Sequence, residues 1–349
     1  LDGVYRVSEE TYEKWTRRAV PQANDLILAR EAPAGNIAIV KNGQQVCLGQ
    51  RTVHLRPDAQ KVDPDFLCYY LLAPQQQGAL LAGETGATSK HVNMKDIRRL
   101  PLRGLPDLDV QHVIASILSA YDDLIENNRR RIQLLEQAAR LLYREWFVYL
   151  RFPGHEHVSI TDGVPDGWEK KPLSEIADIT MGQSPKSVYY NEDGNGLPFH
   201  QGVTNFGVRF PSHQTYCTVQ NRLAELGDIL FSVRAPVGRI NITIDKIVIG
   251  RGLSAIRSKL GQQNLLFYAL KSHFFKEDMM GGGAIFAAIT KKDLHGVELV
   301  QAPDRIAEMF MKHVQPIDLQ IENLQQTIDD LTQARNLLLL RLMNGEVAV

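Results

Sequence analysis

The chain has 349 residues, enough for two domains with sizeable cores, and its 44% hydrophobic and 23% charged content is ordinary for a globular protein. A net charge of −1 excludes a polyanion-binding surface spread over the whole molecule. The balance also holds locally, with 14 basic and 13 acidic groups in residues 1–109 and 16 and 15 in residues 151–300, so any nucleic-acid surface must be a local patch.

The chain opens on Leu1, not Met, which suggests that the sequence begins inside a longer protein. Residues 1–24 are polar and mixed. The segment Asp25–Ile39 follows, an apolar run, a Pro-x-Gly turn and a second apolar alternation, which predicts strand, turn, strand. The pattern returns at Asp228–Ile242. The two align without gaps, Asp25 with Asp228, Ala32-Pro33 with Ala235-Pro236, Gly35 with Gly238 and Ile37 with Ile240. They keep step afterwards: Gly49 aligns with Gly250, Gly86-Ala87 with Gly283-Ala284, and Lys95-Asp96-Ile97 with Lys292-Asp293-Leu294. A period of about 200 residues is too long for a solenoid. It marks the duplication of one unit.

Each copy runs into a long helix. From Val110 to Leu150 there is neither Pro nor Gly, and Leu118, Tyr121, Ile125, Asn128, Ile132, Leu135, Ala139, Leu142 and Trp146 fall at alternating steps of three and four. That is a heptad seam, which requires a partner helix of similar length. The partner lies in the same chain, between Arg305 and Met343. Its seam is Val314, Ile317, Ile321, Leu324, Ile328, Leu331, Arg335, Leu338 and Leu342. Intramolecular pairing is expected to be antiparallel, with the polar Asn128 and Arg335 acting as register devices. Pro316 predicts a kink or a late start in the second helix. The organisation expected is a first α/β domain over 1–109, a long helix over 110–150, a second α/β domain over 151–303 and a second long helix over 304–349. The class is α+β with a pseudo-two-fold repeat. The second copy has an entry segment, Gly167–Lys186, for which the 24 residues before Asp25 leave no room, so the first domain is read as N-terminally incomplete.

The chemistry that is missing narrows the function. There is no phosphate-cradling Gly-x-x-x-x-Gly-Lys-Ser/Thr, only the superficially similar Met181–Ser187, and no Gly-x-Gly-x-x-Gly follows a strand. No Asn/Asp-Pro-Pro-Phe/Tyr tetrapeptide, HExxH, GxSxG or clustered metal ligands occur. Gly281–Gly283 reads as a flexible turn. Cys47, Cys68 and Cys217 form no CxxC and read as reduced thiols of a cytoplasmic protein. No apolar run is long enough to span a bilayer and no signal peptide opens the chain. His54, His91, His155, His157, His200, His213 and His295 have no partner assignable from sequence and read as satisfied surface or core histidines.

What remains is a set of basic and polar residues near the predicted loops of both copies. In the first these are Arg30, Arg51, Lys90 and His91. In the second they are Lys186, Tyr189, Tyr190, His200, Gln201, Asn205, Arg209, Arg234, Arg239, Arg251, Lys291 and Lys292. Arg, Asn and Gln can read base edges through paired hydrogen bonds, while Lys and Tyr suit phosphates. Any one of them could equally be a solvated surface residue. Arg129-Arg130-Arg131 lies mid-helix and points mostly outward.

The whole chain resembles the DNA-specificity subunit of type I restriction-modification systems. The resemblance rests on Gly167-Trp168 with Leu173–Ala177, on Met181–Pro185, on Gly227–Gly238, on Ile117–Asn128 of the first helix and on the duplicated order. It implies a non-catalytic subunit in which each target-recognition domain reads one half of a split, asymmetric site in double-stranded DNA. The antiparallel helix pair would set the unread spacer. Two methyltransferase subunits would dock on the helices and nearby domain surfaces, bringing S-adenosylmethionine, and a translocating nuclease subunit would join for cleavage. No cofactor is expected on this chain itself. The other reading is a coiled-coil scaffold with no DNA role.

Overall fold

Asp25 and Asp228 each close a turn on themselves. Oδ2 accepts from the backbone N–H three residues earlier, that of Gln22 (2.7 Å) or Glu225 (2.8 Å). The residue just before is left-handed in both copies, Asn24 at φ 72° and Gly227 at φ 83°, a conformation that Asn and Gly tolerate best. Strands start directly afterwards because apolar side chains follow. These details come from a computed structural model that describes residues 4–31, 33–82, 91–274, 288–347 and 349. Lys90, Gly86-Ala87, Gly281–Gly283 and Ala284 lie outside the described residues.

The strand pairing repeats with the sequence. The first strand (Leu26–Ala29, or Ile229–Ser232) runs antiparallel to the second (Ile37–Ile39, or Ile240–Ile242), with Leu26 opposite Ile39 and Ile229 opposite Ile242. On its other side lies a third strand, Thr52–Leu55 or Leu253–Ser258, with Leu26 opposite Leu55 and Ile229 opposite Ile256. Gly35 (φ 91°) and Gly238 (φ 87°) make the turns. At Gly35 it is the left-handed backbone that favours glycine; the nearest neighbour of an added Cβ, Gln77 Oε1, ends a flexible side chain that can shift.

The chain divides into two compact units, residues 1–132 with 323–349 and residues 133–322, so that both long helices are cut between them. In the first unit the three-stranded sheet has the order second, first, third strand. Its core includes Leu26, Phe66, Leu67, Tyr69 and Tyr70. The helix Pro64–Leu72 starts where Asp63 accepts from Phe66 N (2.7 Å) and Pro64 fills a first-turn position that needs no N–H.

In the second unit the same three strands gain a fourth, Ala177–Met181, beside the third. A further five-stranded sheet runs in the order Leu223–Ala224, Ile247–Ile249, Leu197–His200, Tyr216–Cys217, Tyr190–Asn191. Its second and third strands, Ile247–Ile249 and Leu197–His200, are parallel. This sheet has no counterpart among the described residues of the first unit.

The first long helix is α-helical from Leu108 to Tyr143 and ends in a π turn, Arg144–Val148. The uninterrupted α-helix to Leu150 expected from sequence is therefore corrected in its last turn. There the neighbours Trp146 and Phe147 are both buried, each making an edge contact with Phe310. The second long helix, Asp304–Met343, starts without delay and runs through Pro316. The expected late start does not occur. Val314 and Ile321, both fully buried, flank the proline, and burial on either side offsets the single backbone bond it removes.

Seam residues Leu118, Ile125, Asn128, Ile132, Ala139, Trp146, Val314, Ile321, Leu324, Ile328 and Leu342 are buried. Tyr121, Leu135, Leu142, Ile317, Leu331, Arg335 and Leu338 are half-buried, while Arg129, Arg130 and Arg131 are exposed. Within the first unit Ile114, Ala115 and Leu118 share a core with Leu339 and Leu342, and Arg335 pairs with Asp122. Within the second unit Ala139, Tyr143 and Trp146 share one with Ile306, Phe310 and Val314.

Candidate nucleic-acid interface

Where the first strand of each sheet leaves and the third enters, loops collect. In the first unit Arg30 N donates to Arg51 O (2.8 Å) and Val92 N to Arg30 O (3.0 Å). In the second, Val233 N donates to Gly252 O (2.9 Å) and Ile289 N to Val233 O (2.9 Å). Isolated bridges join Glu31 to His91 and Arg234 to Ala288. The same backbone frame therefore presents Arg30, Arg51 and His91 in one copy and Arg234, Arg251 and Lys291 in the other.

The second unit brings in more of the expected residues. Gly182 N donates to Leu253 O (2.9 Å), so the loop leading to Lys186 and Tyr189 leaves from the same end of the sheet. Ser184 Oγ donates to Gln201 Oε1 (2.8 Å) and accepts from Arg251 N (3.1 Å), tying three loops together. A Cβ at Gly250 would sit 2.8 Å from the Gln201 backbone, so glycine permits this approach. Arg234 and Arg239 flank the Pro-x-Gly turn, and Lys291 and Lys292 open the helix Lys291–His295, which Thr290 and Asp293 hold in a capping box. Lys186, Arg234, Arg239, Arg251, Lys291 and Lys292 are exposed and form no ion pair among the described residues.

Other expected residues are placed differently. Arg30 is half-buried and its Nε donates to Val92 O (3.0 Å), while Arg51 faces Glu31 at 3.9 Å. Asn205 is half-buried, its carbonyl accepting from Ser212 N (2.9 Å). Tyr190 stacks on Phe199 with ring centroids 4.5 Å apart. Arg209 is a correction. Expected on a DNA-facing surface, it is 2% exposed and ion-paired with Glu136 of the first long helix (2.8 Å) and with Asp318 of the second. Its Nη2 also donates to Tyr268 Oη (2.8 Å), and its guanidinium lies 4.2 Å from the Phe267 ring centre. Burial works against its charge, but the carboxylates of Glu136 and Asp318 more than restore it and raise its pKa. Sequence showed a basic loop residue, whereas the fold delivers it to two acids remote in the chain.

Several structural roles escaped the sequence reading although the repeat carried their signal. Asp25 pairs with Arg56 (2.7 Å) and Asp228 with Arg257 (2.6 Å), at aligned positions. Tyr69 Oη donates to Asp122 (2.6 Å) and Tyr268 Oη to Asp318 (2.7 Å), so each unit is tied to a long helix by the same pair of residue types. The histidines have partners that sequence could not assign. His54 Nε2 lies 2.6 Å from Asp25, and His200 Nε2 lies 2.9 Å from His213 Nδ1, which in turn reaches Asp245 at 3.1 Å through Nε2. Burial, with the neighbouring His213, pushes His200 down to about 4. Cys47, Cys68 and Cys217 are free thiols, Cys68 pushed up to about 12 by burial. Among the described residues no group of three or more His, Cys, Asp or Glu could hold a metal ion. Nor is any helix there long and apolar enough to cross a membrane.

A family model described as the type I restriction modification DNA specificity domain matches residues 5–137 and 165–333. A putative type I restriction enzyme specificity subunit, MjaX, of Methanocaldococcus jannaschii is 32% identical over 329 residues, covering 91% of this chain and 76% of the relative. The MjaIX specificity subunit of the same organism is 27% identical over 367 residues, covering 99% and 83%. The crystal structure of a type I restriction-modification system S subunit from M. genitalium shares the fold, with a TM-score of 0.55 at 18% identity, covering 92% of this chain and 83% of that one.

Proposed function

The chain belongs to the type I restriction modification DNA specificity family, and on that premise we propose that it reads a bipartite, asymmetric site in double-stranded DNA, one recognition domain per half. The observation that carries the reading is the loop end of the second unit's sheet. Six exposed cations with no ion pair among the described residues stand there beside Gln201 and Tyr189, in a chain whose net charge is only −1. Lys186, Lys291, Lys292 and Tyr189 suit phosphates, while Arg234, Arg239, Arg251 and Gln201 have the fork or amide that distinguishes base edges. Arg30, Arg51 and His91, on the equivalent frame, serve the other half-site. The two loop sets differ in sequence, so the two halves should be unlike.

The long helices act as a spacer, and their exposed leucines, Leu134, Leu141, Leu319, Leu337 and Leu340, offer outer faces to two methyltransferase subunits. Those partners would supply S-adenosylmethionine and the adenine chemistry. Two weak half-site readers on one chain raise each other's effective concentration, so the joined reader outperforms either alone.

The test is to map methylated adenines in DNA from cells carrying this chain with its methyltransferase partner. A split motif with a fixed spacer is expected, and methylation independent of sequence would defeat the proposal. Exchanging residues 166–300 for those of another family member should alter one half of the motif only. Lys291→Ala should weaken duplex binding and lower its salt slope by about one, whereas Arg239→Ala should weaken binding and relax the motif at one position.

A further inference from the structure

Arg209 is buried, charged and held by both long helices, yet it belongs to a loop of the recognition domain. Its Nε faces Glu136 (2.8 Å), and Lys271 Nζ reaches the other oxygen of Glu136 (2.8 Å). Its Nη2 meets Asp318, which also accepts from Tyr268 and Asn264. Two cations and two carboxylates close the charge count, from the loop, the first long helix, the helix Gln263–Phe274 and the second long helix. Such a buried quartet is an inefficient way to stabilise a fold, because desolvation consumes most of the Coulomb gain. Well-packed apolar residues would do as well. Its distinctive property is geometric: Nε faces one fixed acid and Nη2 the other, while the buried Nη1 finds no hydrogen-bond partner among the described residues, so the guanidinium is located by acids on two helices at once.

That position is passed to the loop. Arg209 O accepts from Ile242 N (2.8 Å), and Asn241 holds both the N–H and the C=O of Gly207 (3.1 Å each). Ser212 N donates to Asn205 O (2.9 Å). The segment 205–212 is thus strung between the sheet and, through a single side chain, the two helices. The same loop begins at Gln201 and includes Asn205.

Resting on the reading of this chain as a DNA reader, we infer that Arg209 is a positioning residue. It does not touch DNA but references the loop carrying Gln201 and Asn205 to both long helices, and so fixes where the second half-site is read. The contact with two acids, one on each long helix, sets the register of loop against helices, so loosening it should blur discrimination at the second half-site while leaving the first intact.

The experiment uses the full chain assembled with its methyltransferase partner. Competition binding compares the mapped duplex with duplexes altered at one base pair in the first half, one base pair in the second half, or in spacer length by one. Arg209→Met and Asp318→Asn should each reduce second-half and spacer discrimination about tenfold or more, with first-half discrimination unchanged. Arg209→Lys keeps the charge but not the fork, and should fall between. Thermal midpoints are recorded alongside. A variant that melts earlier but discriminates like the wild type well below its midpoint would overturn the inference and leave Arg209 a stability element only. If Arg209→Met does not fold, Asp318→Asn, which preserves shape and one acceptor oxygen, decides alone. A wild-type complex that ignores half-site changes would instead defeat the underlying reading, and the inference with it.

Discussion

Removing the carboxylate of Asp228 tests whether the duplicated frame is held as its geometry states. The side chain is 7% exposed and performs two tasks, accepting from Arg257 Nε (2.6 Å) and from Glu225 N (2.8 Å). Arg257 is 49% exposed and can be resolvated, so the lost charge-assisted bond is placed at the low end, about 1.5 kcal/mol. The orphaned Glu225 N–H adds about 1.5 kcal/mol. Asp228→Ala should therefore cost about 3 kcal/mol, and Asp228→Asn, which keeps an acceptor for the backbone, about half of that. For a unit of this size the first loss lowers the thermal midpoint by roughly 6–12 °C. Asp25→Ala should destabilise the first unit more strongly, because Asp25 has the two equivalent partners, Gln22 N and Arg56, and His54 as well. The two sites lie in different units, so the double variant should be additive within about 0.5 kcal/mol. Urea unfolding of the full chain, followed by far-ultraviolet circular dichroism and tryptophan fluorescence, measures all of these. An Asp228→Ala variant within about 0.5 kcal/mol of wild type, or an Asn variant as damaged as the Ala one, would refute the division of labour between turn and ion pair.

Three other outcomes are expected. His200, pushed down to about 4 by burial, is neutral in the folded chain, whereas the unfolded chain protonates it below about 6.5. The stability it contributes is complete above pH 6.5 and is lost as the pH falls towards 4, at most about 3 kcal/mol. His200→Gln should flatten unfolding measured across that window, and an unchanged slope would show that His200 does not titrate as described. Phe310→Ala empties a fully buried site ringed by Tyr143, Trp146, Phe147 and Tyr268 and should cost about 3–5 kcal/mol with loss of near-ultraviolet dichroism. A surviving near-ultraviolet spectrum would place the rigid core elsewhere. Inserting one heptad into each long helix adds about 10 Å of length, or roughly three base pairs of spacer. Since three base pairs also turn the duplex by about 100°, binding to the longer site should be weaker than wild type. A preferred spacer that stays the same would contradict a ruler.

By itself the sequence determined the repeat, the strand–turn–strand unit in each copy and the two heptad seams. The repeat is legible by direct alignment, and the other two are local periodicities, because local backbone geometry converts a period of two or 3.5 directly into a strand face or a helix stripe. The sequence placed the basic residues near predicted loops, but that the loops of Arg30, Arg51 and His91, or of Arg234, Arg251 and Lys291, meet at one sheet end is set by backbone bonds between distant segments. Only the tertiary structure decided what each basic side chain does there. Arg209 and Arg239 look alike in sequence, both basic and both near predicted loops. One is buried between acids supplied by Glu136 and Asp318, and the other stands exposed beside the Pro-x-Gly turn. Likewise Pro316 reads as a breaker until Val314 and Ile321 are seen buried on either side of it. The difference is physical. Burial and ion pairing depend on groups far apart in the chain meeting in space, and no periodicity along the chain records those meetings.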